Sequence, residues 1–294
     1  MIGVKSIKLI TKESHMFNPF LPRAIKQHFV QYDSVDSIPK EAFDRIRKCF
    51  EKQYSETPMV SIVVIAYNDE KTIFKSLSSL SSLSSKYPFE VIVSNNNSTD
   101  RTQEILDKCG VKSVFQPLEG VGNARHAGLQ VAKGKYHLCA DADSIYPVNY
   151  IDEMIEPLEL GDAICTFGRV SFLPDRDKSR FSLSLYEIFK DIAVNLRAIK
   201  QPELVVQGAS LAFFTRMGKQ IGWRTDVTGG EDYQMALSMK RFGKVKMVKS
   251  SGSRIWTTAK TLDRDGSFLK LIGKRFIKEI SRVQFYFVSS KQNA

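Results

Sequence analysis

Two aspartates one residue apart, Asp141 and Asp143, close the apolar run Tyr136-His137-Leu138-Cys139-Ala140. Extended backbone turns alternate side chains to the same side, so both carboxylates can point one way at a sheet's edge. Converging anions repel unless a cation sits between them, and oxygen ligands suit a hard divalent ion such as Mg²⁺ or Mn²⁺. An isolated Asp-x-Asp is equally a pair of solvated loop carboxylates, so four further polar clusters matter. Ala66-Tyr67-Asn68-Asp69-Glu70 offers an aromatic ring and free amides to a base and its ribose, or is an ordinary capped turn. Asn95-Asn96-Asn97-Ser98-Thr99-Asp100 supplies helix caps and amides that could read a nucleobase edge. Gly120-Val121-Gly122-Asn123-Ala124-Arg125-His126-Ala127-Gly128 allows close backbone approach beside a guanidinium, which can pair with a phosphate or fix the carboxylates. His126 reads as a surface histidine, and no Gly-Lys-Ser or Gly-Lys-Thr phosphate loop occurs. Gly229-Gly230-Glu231-Asp232-Tyr233 puts acids into a helix's first turn, where the dipole favours them in any case. A carboxylate there could also take a proton from an alcohol.

The elements that must position these clusters alternate. Met59 to Ala66 is a β-branched run of the kind buried on both faces of a parallel sheet. A helical stretch at 70–85, a strand at 89–93, a helix near 100–108, a strand at 112–116, a helix near 122–132 and a strand at 135–140 follow. Such alternation predicts a parallel sheet with helices on both faces and ligands beyond the carboxyl ends of the strands. Tyr67 to Glu70, Asn95 to Asp100 and Asp141 to Asp143 then share one rim. The second half predicts a helix at 147–158, a strand at 162–172, a long helix at 179–199, strands at 204–206 and 211–214, and a helix after Gly230. Closely spaced strands there predict a mixed extension of the same sheet. Residues 1–57 read as an appended, partly helical extension, with Ala42, Phe43, Ile46, Cys49 and Phe50 at helical spacing.

The 294 residues are 43% hydrophobic, enough to bury a sizeable core, and carry a formal charge of +11. That balance suits anionic partners such as phosphorylated small molecules or an acidic membrane surface, or a merely soluble basic exterior. Nucleic acid ranks last, since no zinc finger, RNA-recognition signature or Arg-rich arm accompanies it. Cys49, Cys109, Cys139 and Cys165 have no paired spacing, as expected of reduced thiols in a cytoplasmic protein. No convincing signal peptide opens the chain, and no window reaches the ~18 to 20 apolar residues of a spanning helix.

In this order, Val-Ile-Ala-Tyr-Asn, Asn-Asn-Ser-Thr-Asp, Gly-Asn-Ala-Arg, Asp-Ala-Asp and Glu-Asp-Tyr resemble the family 2 glycosyltransferases over roughly residues 58–260. The resemblance implies the GT-A fold: α/β, with a Rossmann-like, mostly parallel or mixed central sheet flanked by helices. It implies inverting transfer of a sugar from a nucleotide-diphosphate sugar, UDP-sugars favoured, to a saccharide or lipid-linked saccharide hydroxyl, with Mn²⁺ or Mg²⁺. Ala66, Tyr67, Glu70, Asn95, Asn97, Arg125, Asp141 and Ala142 would then bind the nucleotide-sugar. Asp143, with Asp141, would hold the metal, and Asp232, preceded by Glu231, would be the general base. Two departures stand out. Asn95 replaces a common aspartate, and no histidine follows Ser250 as a further ligand. Ser253 to Lys260 stands where a flexible lid is expected, with Trp256 and Lys260 closing over the diphosphate. The competing activity is a sugar nucleotidyltransferase, whose Gly-rich, Arg- and Lys-bearing loop is absent after the first strand. A nucleotide-sugar-binding protein without turnover is the other alternative. Residues 261–294 predict a C-terminal amphipathic helix, with Phe268, Leu269, Ile272, Phe276, Ile280 and Val283 near one face and Lys270, Lys274, Lys278 and Arg282 largely elsewhere. Such a helix suits an anionic membrane, at the cytoplasmic face, or packing against the catalytic domain.

Overall fold

A computed structural model describes residues 21–175 and 177–263. The expected C-terminal amphipathic helix, and the first 20 residues of the N-terminal extension, lie outside the described residues. In chain order the elements are α1 (Arg23–Lys26), α2 (Lys40–Gln53), β1 (Val60–Ala66), α3 (Ile73–Leu80), β2 (Phe89–Asn95), α4 (Thr102–Cys109), β3 (Lys112–Phe115), α5 (Val121–Val131), β4 (Tyr136–Asp141) and α6 (Tyr150–Glu159). They continue with β5 (Cys165–Phe167), β6 (Val170–Phe172), α7 (Arg180–Lys200), β7 (Leu211–Phe214), α8 (Thr215–Ile221), α9 (Glu231–Met239), β8 (Val245–Met247), β9 (Ile255–Thr257) and α10 (Lys260–Asp263).

Seven strands form one sheet in the order β3-β2-β1-β4-β7-β5-β8. The first four are parallel, and β7 runs antiparallel to both β4 and β5. This is the α/β, mostly parallel but mixed sheet that the alternation predicted. Strand parity divides the core. Val60, Ile62, Val64, Leu138 and Ala140 face the layer of α2, α3, α4 and α6. Cys139, Phe213, Cys165 and Phe167 face Leu129 of α5 and Met235 and Met239 of α9. At Gly128 the backbone of α5 comes so near β1 that a Cβ would lie 2.2 Å from Val63 Cγ1. Of the N-terminal helices α2 joins the first layer, where Phe43 meets Phe74 edge to face at 5.3 Å, while Ile25 of α1 packs with Ile145 and Trp256.

Three expectations are corrected. The run at 162–172 is two strands, because Gly168 passes backbone to backbone against Ser253, whose carbonyl oxygen would sit 2.1 Å from a Cβ there. Beyond that crossing the chain leaves the main sheet, and β6 pairs with β9 instead. Residues 204–206 are not a strand: a 3₁₀ turn spans Pro202–Val205, and Pro202 has no N–H for a ladder. The segment expected as a lid holds β9, with Trp256 only 6% exposed and exchanging backbone hydrogen bonds of 2.7 and 3.0 Å with Ile145. The Trp256 ring packs with Leu21, Ile25, Ile145 and Leu173, so it is a core side chain in this structure.

Candidate active site

At the carboxyl ends of β1 and β4 opens a cleft of about 480 Å³. Ala66, Tyr67, Asp141, Ala142 and Asp143 line it, together with Ile65, Asp69, Asn96, Glu119, Gly120, Val121 and Ala124. Tyr67 is half-exposed on the wall, as a ring offered to a flat ligand must be. Asp141 ends β4 on the same side as Cys139, so strand parity sends its carboxylate toward α5 and α9. Its backbone N–H donates to Tyr146 Oη at 2.8 Å, which fixes the end of the strand.

Arg125 lies beneath the floor of the cleft, 3% exposed, and not on its wall. Its Nη2 donates to Asp141 Oδ1 at 3.1 Å, and its Nε stands 3.4 Å from Asp232 Oδ1 as an ion pair. The guanidinium also lies 5.4 Å over the Trp223 ring. Burial disfavours its charge, but Asp232 and Asp141, with Glu231 behind them, outweigh that and hold it above its ordinary value. At Asp141, a third of whose side chain is exposed, burial pushes the carboxyl up to about 7 against the pull of Arg125, with Asp143 and Asp232 adding to the rise. Glu231, at the first position of α9, is buried with Oε2 unpartnered among the described residues. Asp232 is 22% exposed. The sequence motifs 107 residues apart therefore meet on one buried cation. No spacing rule announces such a meeting.

Glu70, Asn95 and Asn97 do not line the cleft. Glu70 Oε2 accepts from the N–H of Arg101 at 3.1 Å, at the head of α4, while its own N–H donates to Asp100 Oδ2 at 3.0 Å. Asn95, 2% exposed, donates from Nδ2 to Gln103 Oε1 at 2.8 Å and accepts from the N–H of Ser98 at 3.2 Å. Asn97 takes the left-handed conformation at φ 56°, as does Asn68 at φ 52°. Asn68 Oδ1 accepts from the N–H groups of Thr99 and Asp100 at 2.8 and 3.3 Å, and its N–H donates to Ser98 Oγ at 3.0 Å. The loops after β1 and β2 thus cap each other. Asn96 holds the far wall instead. It donates to the carbonyls of Gln116 and Leu118 at 3.2 and 2.6 Å and accepts from the N–H of Gly120 at 2.8 Å. A run of three asparagines signalled a polar rim, but only the fold separates the cap, the left-handed turn and the wall.

Asp143, also on the cleft, is anchored from the side of β9. Thr257 Oγ1 donates to its Oδ1 at 2.9 Å, Thr258 donates to its Oδ2, and Ser144 donates to Oδ1 at 3.2 Å. Lys75 of α3, which the sequence reading passed over as one polar residue in a helix, is buried beside this group. Burial pulls its ammonium down to about 8, while Asp143 and Asp69 draw it up and Lys260 pushes it down further. Burial raises Asp69, whose Oδ2 accepts from the N–H of Tyr67 at 3.1 Å. Lys260, at the start of α10, is exposed and acts on Asp69 through its charge. Among the described residues no three His, Cys, Asp or Glu side chains form a group that could hold a metal ion, and no helix is long and apolar enough to cross a membrane.

Comparison with known proteins agrees with the fold. The chain is 28% identical over 160 residues to an Escherichia coli UDP-Glc:alpha-D-GlcNAc-diphosphoundecaprenol beta-1,3-glucosyltransferase, covering 53% of this chain and 56% of that protein. It is 34% identical over 118 residues to an uncharacterized Haemophilus influenzae glycosyltransferase, covering 38% of this chain and 36% of that one. The matches thus span about half and about a third of those relatives. Among solved structures, Staphylococcus aureus TarS 1-349 in complex with UDP-GlcNAc superposes with TM-score 0.53 at 20% identity over 72% of this chain and 60% of that one. Mycobacterium tuberculosis glucosyl-3-phosphoglycerate synthase, in complex with Mn²⁺, UDP-Glc and phosphoglyceric acid, gives 0.52 at 19% identity over 81% and 83%. Both likenesses are of fold. The sequence model for glycosyl transferase family 2 matches residues 61–218, more than half of the chain, and the protein belongs to that family.

Proposed function

We propose that this protein is an inverting glycosyltransferase that moves a sugar from a nucleotide-diphosphate sugar, a UDP-sugar first, to a hydroxyl of a saccharide or lipid-linked saccharide. The synthesis served is that of a surface polysaccharide or glycolipid, at the cytoplasmic face of the membrane. The observation that carries this reading is the single buried guanidinium of Arg125 shared by Asp141, which faces the cleft, and Asp232 at the head of α9. The names of relatives support the substrate classes: the E. coli protein is named for a UDP-glucose donor and a diphosphoundecaprenol-linked acceptor, and TarS binds UDP-GlcNAc.

In this reading Tyr67 and Asn96 bound the nucleotide, and Asp141 orients its ribose side. Asp232 accepts the proton of the attacking hydroxyl, worth about 10²- to 10⁴-fold in rate. Arg125 is a positioning residue: its ion pair with Asp232 aims that carboxylate. One displacement served by one base inverts the anomeric carbon. Mg²⁺ or Mn²⁺ fits the residues present in a limited way. Asp143 and Asp141 would hold it, and water and diphosphate oxygens would complete the shell, because the described residues bring no third acidic or imidazole ligand. When bound, the ion stabilises the charge that gathers on the departing diphosphate.

A thermal-shift panel of UDP, GDP, CDP and ADP, each with and without Mn²⁺, tests the assignment. UDP with Mn²⁺ should raise Tm most, with about 2.7 kcal/mol of stabilisation at a hundredfold excess over Kd. If no nucleotide diphosphate shifts Tm in the presence of Mn²⁺, the reading fails.

A further inference from the structure

The longest helix among the described residues, α7, carries an apolar stripe on its outer side. Leu185, Ile188, Ile192, Leu196 and Ile199 follow each other at steps of three and four residues, and their exposures run from 47% to 76%. None of the five belongs to a core cluster among the described residues. The inner side of the same helix is fully engaged. Leu183 and Tyr186 pack with Phe172. Glu187 accepts from Arg180 at 2.6 and 2.8 Å, from Ser171 Oγ at 2.9 Å and from the N–H of Phe172 at 2.7 Å. A solvated helix face would ordinarily carry charge, and a contiguous exposed apolar stripe of this kind marks a surface that something covers.

The course of the chain indicates what covers it. Ala259 and Leu262 pack in one cluster with Leu183 and Tyr186, so α10 delivers the polypeptide to the first turns of α7. Thirty-one residues follow Asp263. Within them Phe268, Leu269, Ile272, Phe276, Ile280 and Val283 recur at helical spacing, with Lys270, Lys274, Lys278 and Arg282 on other faces. A helix over 268–283 would be about 24 Å long, against about 22 Å for the stripe from Leu185 to Ile199. The four residues 264–267 can span about 13 Å, enough to turn from α10 onto the outside of α7.

We propose that the apolar face of residues 268–283 of this same chain docks along the Leu185–Ile199 stripe of α7. The pairing covers two apolar faces of matched length with each other and turns the tail's lysines and arginine outward. It also braces the wall of the cleft. Through Glu187, α7 holds Ser171 and Phe172 of β6, and β6 pairs with β9, which carries Thr257 on Asp143.

The test is timed trypsin digestion of the full chain without lipid or detergent, with cleavage after Lys270, Lys274, Lys278 and Arg282 followed by mass spectrometry. Oligomeric state is read in parallel by light scattering. In a monomeric wild type these sites should be cut about tenfold or more slowly than in an Ile188→Lys/Ile192→Lys double variant. Phe276→Glu should release the same sites from the tail's side, which keeps the test decisive if the α7 variant fails to fold. Equal cleavage in the wild type and Phe276→Glu overturns the proposal. So does a wild-type dimer that the α7 variant dissociates, since a second copy would then be the occupant. Tail sites cut freely in buffer and protected only by anionic vesicles would make it a membrane segment, which also overturns it.

Discussion

Gly208 is the position where one added methyl group tests the central ion pair. A Cβ there would lie 2.2 Å from Arg125 Nη2 and 2.3 and 2.4 Å from the two carboxylate oxygens of Asp232. Ordinary contact needs about 3.5 Å, so these atoms must retreat by ~1 Å or more. The backbone has little freedom to yield instead. Gly208 opens a buried turn in which the N–H of Ser210 donates to the carbonyl of Gln207 at 2.9 Å, and Leu211, which follows, is fully buried in β7. Gly208→Ala should therefore separate Arg125 from Asp232 while leaving the fold intact. A displacement of ~1 Å in a catalytic group costs about 10²-fold in rate. Overpacking costs about 1–3 kcal/mol, or about 2–12 °C in Tm for a domain of this size. The assay pairs UDP release from a panel of UDP-sugars with thermal unfolding, in Gly208→Ala, Arg125→Lys and the double variant. If the methyl group acts through the guanidinium, the double variant should lose much less than the product of the two single losses. Independent losses that multiply, or a Gly208→Ala enzyme within threefold of wild type, would refute the shared-cation argument.

Other outcomes follow from the same geometry. Asp232→Asn should reduce transfer by at least about 10²-fold and leave the UDP-plus-Mn²⁺ thermal shift in place; loss of that shift would move Asp232 to the donor side. Asn96→Ala should cost about 1–3 kcal/mol, since it strands two carbonyls and the N–H of Gly120, and should weaken the UDP shift; an unchanged shift would remove the 116–120 loop from the nucleotide wall. His137 is fully buried against Phe213, and burial, with Arg125 and Lys219 adding to it, pulls its imidazole down to about 3. The folded state therefore refuses a proton that the unfolded chain accepts below about pH 6.5, so stability should be complete above that pH and fall on acidification, by about 2 kcal/mol at pH 5. His137→Phe should flatten that part of the Tm-against-pH curve, and an equally steep curve in the variant would refute the assignment.

Much of the frame could be read from residue types. β1, β2 and β4 announce themselves as mostly apolar runs, and the rule that ligands gather beyond parallel strands located the rim that holds Tyr67, Asp141 and Asp143. What could not be read was which polar residues serve the cleft and which serve the chain. Asn95 and Glu70 have the same chemistry as true wall residues, but local helix ends claim them first. Arg125 was expected to pair with a phosphate or to fix the carboxylates, and it fixes Asp141; that Asp232 shares it could not be read, because that depends on α9, whose register is invisible from α5. Trp256 was expected on a lid, but a three-residue strand such as Ile255–Thr257 has too short an apolar pattern to be distinguished from a loop. Its partner β6 becomes visible only once the crossing at Gly168 is known.

The reciprocal capping between the loops after β1 and β2 bears on attempts to change donor preference by chimera. Residues 67–70 cannot be transplanted from a relative by themselves, because Asn68 and Glu70 accept from the N–H groups of Thr99, Asp100 and Arg101 that lead into α4, and Asp100 accepts from that of Glu70. A graft that ignores this would unseat a helix while intending to alter a base contact. The smallest exchangeable module is both loops together, Tyr67–Glu70 with Asn95–Thr102.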